Sequence, residues 1–180
     1  FLVAKSVATA AVLSKNRVAL GIGAGWMRDE FELMQQPFDG RGRRTDEMIE
    51  VLAKLWAGGW VEHHGEHYDF DALEMSPVPS AKIPIHVGGF SPPALRRAAT
   101  RADGWISDLH TTAVLSDLIA KVRALRVDSP RAGEPFDILA TCSDAFDVGG
   151  YRRLQDLGVS HLMTMPWLFY GARQDSLEEK

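Results

Sequence analysis

Cysteine is nearly missing from these 180 residues. Cys142 stands alone, which excludes an internal disulfide framework and a cysteine-based zinc site and fits a reducing cytoplasm. No block of basic residues and no interleaving of basic with aromatic residues occurs. With 20 Lys and Arg against 24 Asp and Glu, the formal charge is -4 and the pI near 5.9, so nucleic acid is not an expected partner. Long apolar runs are lacking too. Residues 1–13 form the most apolar stretch, but Lys5 interrupts it, no basic leader precedes it, and it is too short to span a bilayer; neither a signal sequence nor a membrane anchor is expected there. Internal repeats and low-complexity tracts are also absent.

What remains is a chain that is 46% hydrophobic and long enough for one sizeable core, read as a single domain over residues 1–180. Residues 1–13 read as a helix with Leu2, Val3, Val7, Ala11 and the neighbouring alanines on one face. An apolar strand over residues 17–22 then runs into Gly21, Gly23 and Gly25 before Trp26. A short helix is expected over residues 27–36, ended by Pro37, and an amphipathic one over residues 45–56 with Met48, Leu52, Leu55 and Trp56 as its stripe. Residues 60–70 alternate about Gly65 as a small hairpin at the solvent or substrate rim.

Beyond a linker at residues 76–79, strands are expected at 83–87, 103–107, 136–141 and 161–165. Helices are expected at 92–102, 114–125 and 151–157, and residues 174–180 read as the first turns of another. Five strands alternating with helices, none with strict polar alternation, imply an α/β fold of parallel strands covered by helices.

Two stretches carry the functional argument. Both residues 20–26 and residues 85–91 run from a strand through glycines to the start of a helix, a construction that lets backbone N–H groups approach a flat ring or a phosphate. The first lacks the dinucleotide-binding spacing, because Trp26 stands where the last glycine would be. In the second, Ser91 and the N–H groups opening a helix at Pro92 and Pro93 suggest an anion cradle. His63, His64 and His67 with Glu66 offer metal-ligand chemistry, but neighbouring strand positions face opposite ways, so no metal is expected. Asp29, Glu30 and His110 fall near strand ends, where helix-cap or rim roles compete with contact to a ligand. Cys142 and His161 lie on strands and read as interior residues without chemistry.

Taken in order, several motifs resemble the bacterial luciferase-like monooxygenase superfamily. They are Leu20-Gly21-x-Gly23-x-Gly25-Trp26 with Glu30-Phe31, Arg44-x-x-Glu47 before Leu55-Trp56, Pro84-Ile85-x-Val87-Gly88-Gly89, and Ala102-Asp103-Gly104-Trp105. The likeness is strongest to the branch that depends on coenzyme F420. It departs at residues 14–17, where the family usually has glycines and this chain has Ser14, Lys15, Asn16 and Arg17.

The resemblance implies a (β/α)8 TIM barrel of which this chain holds about strands four to eight, with the hairpin near residues 60–70 as an insertion. Such barrels take about 250 residues, so a fragment or truncated product is expected. It further implies that Gly23, Ala24 and Gly25 run beside the ring or ribityl chain of F420, and that Val87, Gly88 and Gly89 contact its tail and phosphate. The family's cis peptide and ring-facing acidic and histidine side chains belong to the first three strands, so no catalytic residue is named. The implied activity is hydride transfer between F420 and a small organic substrate. The alternatives are an FMN-dependent monooxygenase, or a non-catalytic flavin-binding or partner-subunit remnant whose unpaired sheet edges favour association with a second copy.

Overall fold

The computed structural model describes residues 1–164. The elements run α1 (Leu2–Leu13), β1 (Leu20–Ile22), α2 (Arg28–Leu33), α3 (Arg41–Ala57), β2 (Trp60–His64), β3 (Asp69–Glu74), β4 (Ile85–Gly88), α4 (Pro92–Arg101), β5 (Gly104–His110), α5 (Thr112–Val127), β6 (Asp137–Cys142), α6 (Val148–Asp156) and β7 (His161–Leu162). Five strands form one parallel sheet in the order β1-β4-β5-β6-β7, while β2 and β3 pair antiparallel as a separate hairpin. Neighbouring strands in the sheet follow one another in sequence apart from that inserted hairpin. Successive βα units, each returning to lay a parallel strand beside the last, produce this order.

Among the described residues, helices cover one face of the sheet. Ile22, Ile85, Val87, Trp105, Ile138, Ala140 and Cys142 share a single core with the inner sides of α1, α3, α4 and α5. Alternate positions behave differently: along β6 burial switches residue by residue, with Leu139 and Thr141 half-buried between buried neighbours. This agrees with the barrel expected from the resemblance, in which helices lie outside the strands. Gly21, His86, Gly88, Gly104, Ile106, Asp137 and Leu139 share the second face by strand alternation and register. On that face the missing side chains let neighbours lean across. A Cβ on Gly21 would meet Ile106 at 3.0 Å, and one on Gly104 would meet His86 at 2.7 Å.

Local physics explains where elements differ from the sequence reading. In α1 the buried stripe is Ala4, Ala8 and Ala11, while Leu2 is 82% exposed and Val3 is exposed. Small side chains let the helix sit close to α3, where Trp56 Nε1 donates to the Ala4 carbonyl at 2.9 Å. Helix α2 stops at Leu33, short of Gln36, with Gln35 in the left-handed region.

Helix α3 begins four residues before Thr45. Three arginines in its first turn oppose the helix dipole, which is why the start is hidden in the sequence. The left-handed Gly40, the bond from Thr45 Oγ1 to the Arg41 carbonyl, and partners found for the arginines elsewhere offset this. The strand expected to end at Ser107 continues to His110, because an irregularity between Ile106 and Leu109 absorbs Asp108 and restores pairing with β6. The hairpin extends to Glu74 rather than Phe70. Of the last expected strand, His161 and Leu162 are in the sheet; Met165 and the expected terminal helix lie outside the described residues.

Two buried arginines tie the layers. Arg97 donates through Nε to Asp46 at 2.6 Å and through Nη2 to the Gly42 carbonyl at 2.9 Å, joining α4 to α3. Arg126 closes the end of α4 by donating to the carbonyls of Ala99 and Ala102, and its guanidinium lies 4.9 Å over the Phe136 ring. Among the described residues no helix is long and apolar enough to cross a membrane.

Candidate cofactor and substrate site

All five strands of the sheet point the same way, so the loops following β1, β4, β5 and β6 gather at one end. Ile22 lies opposite Val87, which brings residues 23–25 and residues 88–89 out side by side on adjacent strands. The four glycines there do different things. Gly25 sits at φ +81°, and a Cβ on it would stand 2.6 Å from Phe31 Cε2. Gly89 sits at φ +114° and would press on Ala94 at 3.1 Å. These two are required by the backbone. Gly23 and Gly88 are not in the left-handed region; a Cβ on Gly23 would meet nothing within 4 Å, and one on Gly88 only ordinary contacts from 3.7 Å outward. Neither local strain nor packing calls for glycine at these positions, and both leave a bare backbone at the sheet end.

The loops are braced from below. Phe31 packs edge-on against Phe38 at 5.2 Å under Gly25, and Arg28 and Arg41 stack on Phe38 at 4.3 and 3.7 Å. Arg41 Nε then donates to the Gly25 carbonyl at 2.9 Å. On the other loop, Trp105 is fully buried and its Nε1 donates to the Gly89 carbonyl at 2.8 Å. The Asp103-Gly104-Trp105 motif is thus a positioning device, a role its sequence alone does not disclose.

Among the described residues α2, α4, α5 and α6 start at this end, and their N-termini differ in charge. Asp29 and Glu30 occupy the first turn of α2. At α5, Asp144 Oδ1 accepts from the Thr112 N–H at 2.8 Å, the Thr112 hydroxyl at 2.7 Å and the Cys142 thiol at 3.0 Å. The thiol bond, followed by those from Thr112, holds the Asp144 carboxyl below its ordinary value. At α6, Asp147 Oδ1 accepts from the Gly150 N–H at 2.6 Å. Only α4 among these has neither an acidic residue in its first turn nor a side-chain cap. Its two leading prolines supply no N–H and the Ser91 side chain makes no cap bond, so the cradle is narrower than the sequence suggested.

The other sequence candidates separate. Asp29 and Glu30 are exposed. His110 ends β5 with its ring edge-on to Phe90 at 5.5 Å, and its Nε2 is buried without a hydrogen-bond partner. His161, expected inside, is exposed, because β7 is an edge strand among the described residues and its second residue alone turns toward the helices; Cys142 is buried.

The histidines of the hairpin do not converge. His63 is buried, placing Nε2 3.1 Å from Glu47 and Nδ1 3.2 Å from Lys54 Nζ, while His64 turns out to Asp69 at 2.7 Å. That bond raises the His64 pKa. Among the described residues, no group of three or more His, Cys, Asp or Glu side chains is disposed to hold a metal ion. Glu47 explains the hairpin's position beside the start of α3, since its carboxylate also accepts the N–H groups of His67 and Tyr68.

A run of sequential parallel strands with helices on one face, and glycine loops at the strands' C-terminal ends, defines a portion of a TIM barrel of the luciferase-like type. The chain belongs to the luciferase-like monooxygenase family, which its residues 1–144 match. An uncharacterized protein of Mycobacterium tuberculosis is 44% identical over 90% of this chain and 56% of its own length. The F420-dependent glucose-6-phosphate dehydrogenase of Nakamurella multipartita is 30% identical over 86% of this chain and 47% of its own. An FMNH2-dependent dimethylsulfone monooxygenase of Pseudomonas fluorescens is 30% identical over 68% of this chain and 35% of its own. In fold, the coenzyme F420 dependent tetrahydromethanopterin reductase of Methanopyrus kandleri superposes with a TM-score of 0.67 at 21% identity, covering 78% of this chain and 45% of that one. The chain spans about half the length of the relatives it matches.

Proposed function

We propose that the protein is an oxidoreductase transferring a hydride between coenzyme F420 and a small organic substrate, with Gly23, Ala24, Gly25, Val87, Gly88 and Gly89 as the cofactor platform. The observation that carries this reading is the pair of glycines, Gly23 and Gly88, that local packing does not require, side by side at the C-terminal ends of adjacent strands. A flat ring or its ribityl chain can lie against backbone there without meeting a Cβ. The residues fit such a group, and the carboxylate-free start of α4 beside Gly89 suits its phosphate.

When bound, F420 supplies the hydride at ring carbon C5. The protein's part is to fix the ring through the braced loops: Arg41 holds Gly25, Trp105 holds Gly89, and Val87 anchors the strand between them in the core. FMN is the second reading, favoured by the dimethylsulfone monooxygenase among the relatives.

A side-by-side binding titration of the folded chain with F420 and with FMN tests the proposal. Tighter binding of F420 supports the F420 reading and tighter binding of FMN supports the monooxygenase reading. Binding of neither by a chain that is folded by circular dichroism refutes the platform and favours the remnant or partner-subunit role.

A further inference from the structure

We infer that the substrate accepted at this end of the sheet is a neutral, largely apolar small molecule rather than a phosphorylated or otherwise anionic one. The inference rests on the oxidoreductase reading above and names the substrate class of that site. The ends of β1, β4, β5 and β6 each bring one large apolar side chain to the surface: Trp26 after β1, Phe90 after β4, Leu109 next to the last residue of β5, and Phe146 after β6, exposed by 79%, 56%, 47% and 39%. Single exposed apolar residues mean little; one from each of four successive strand ends, around one mouth, is a patch of the kind that marks a binding surface. Below that rim the helix-free face continues with Ile106 and Leu139, both uncharged.

Charge points the same way. Residues 107–111 and 143–147 contain Asp108, Asp144 and Asp147 but no Lys or Arg. The starts of α5 and α6, where a substrate phosphate would find N–H donors and a favourable dipole, are already filled by the carboxylates of Asp144 and Asp147. A second anion there would face like charge at short range. Of the basic residues at this end, Arg28 and Arg41 are engaged with Phe38, Asp39 and the Gly25 carbonyl, Arg44 lies 5.7 Å over the Phe31 ring, and Arg153 Nη1 stands at the start of α6 on the same side of Gly149 as the Asp147 carboxylate. His110, its Nε2 buried without a hydrogen-bond partner beside the Phe90 ring, adds one nitrogen able to hydrogen-bond a neutral oxygen.

The test is equilibrium dialysis of the whole chain, with and without F420, against 2-butanone, 2-hexanone, 2-octanone and glucose 6-phosphate. Affinity for the ketones should rise about two- to fourfold per added methylene, the upper value being that of full burial. With F420 bound and its phosphate filling the start of α4, glucose 6-phosphate should show no saturable binding at low salt. Phe146→Ala and Leu109→Ala should each weaken 2-octanone about fivefold while leaving the F420 dissociation constant unchanged. Ketone affinity independent of chain length, absence of ketone binding, or glucose 6-phosphate binding in that F420-bound state as tightly as 2-hexanone would overturn the inference. Failure of F420 to bind in the parallel titration overturns the cofactor reading instead, and the ketone series without F420 still reports on the apolar preference.

Discussion

Replacing Glu47 by alanine removes the acceptor that pins the inserted hairpin to α3. Its carboxylate is 13% exposed and receives the N–H of Tyr68 at 2.8 Å, the N–H of His67 at 3.0 Å and His63 Nε2 at 3.1 Å. A hydrogen bond to a charged group contributes about 1.5–3 kcal/mol. Water can re-enter at the two turn amides, so the total loss falls below the sum of three such bonds, at about 3–4 kcal/mol. Against a typical domain stability of about 5–15 kcal/mol, this is a large fraction. Glu47→Gln keeps one acceptor oxygen and should cost about 1–2 kcal/mol.

The pH dependence separates the two variants from the wild type. Burial pushes the Glu47 carboxyl up, but the bonds from Tyr68, His67 and His63 outweigh it and hold the folded value below 4.5. Its contribution is therefore complete above pH 4.5 and is lost as pH falls through the folded value. Glu47→Gln should lack that component of acid destabilisation. Urea unfolding followed by circular dichroism from pH 7 downward, with amide exchange at His67 and Tyr68, measures both effects. A cost below about 1 kcal/mol for Glu47→Ala, with hairpin amides as protected as in the wild type, would refute the reasoning.

A Cβ on Gly23 would meet nothing within 4 Å and one on Gly88 only ordinary contacts from 3.7 Å, so Gly23→Ala and Gly88→Ala should leave thermal stability within about 0.5 kcal/mol of wild type while weakening F420 binding at least tenfold in a fluorescence titration. Gly25→Ala, by contrast, should lose about 2–3 kcal/mol in urea unfolding, since it combines a left-handed backbone with a 2.6 Å approach to Phe31. Arg126→Met should cost about 2–3 kcal/mol by thermal unfolding, because it leaves the carbonyls of Ala99 and Ala102 at the end of α4 without their charged donor.

Much of this architecture is legible in one dimension because strand and helix obey different periods. Short apolar runs such as residues 85–87 sit between glycines and prolines, and the stripe of Leu115, Leu118, Ile119 and Val122 is buried as its spacing demands. Legibility fails where a tertiary partner overrides local chemistry. The arginines at the start of α3 are tolerated because Arg41 finds Gly25 and Phe38. Asp108 sits inside β5 because the sheet absorbs an irregularity there. In α1 the expected face is right at Val7, Ala11 and the alanines Ala4 and Ala8 and wrong at Leu2 and Val3, since hydrophobicity alone does not show that α3 packs over the small residues, where Trp56 reaches the Ala4 carbonyl.

At the candidate site, the sequence by itself determined that two glycine loops follow two strands and that each leads into a helix, because glycine and proline act on the backbone locally. Only the tertiary structure decided that β1 and β4 are neighbours, which glycines are demanded by the backbone and which are bare, and that Trp105 and Arg41 hold the loops. It also decided that carboxylates fill the starts of α5 and α6 while that of α4 has none. These are properties of residues far apart in the chain, set by strand register and by the meeting of side chains across it, which no local pattern encodes.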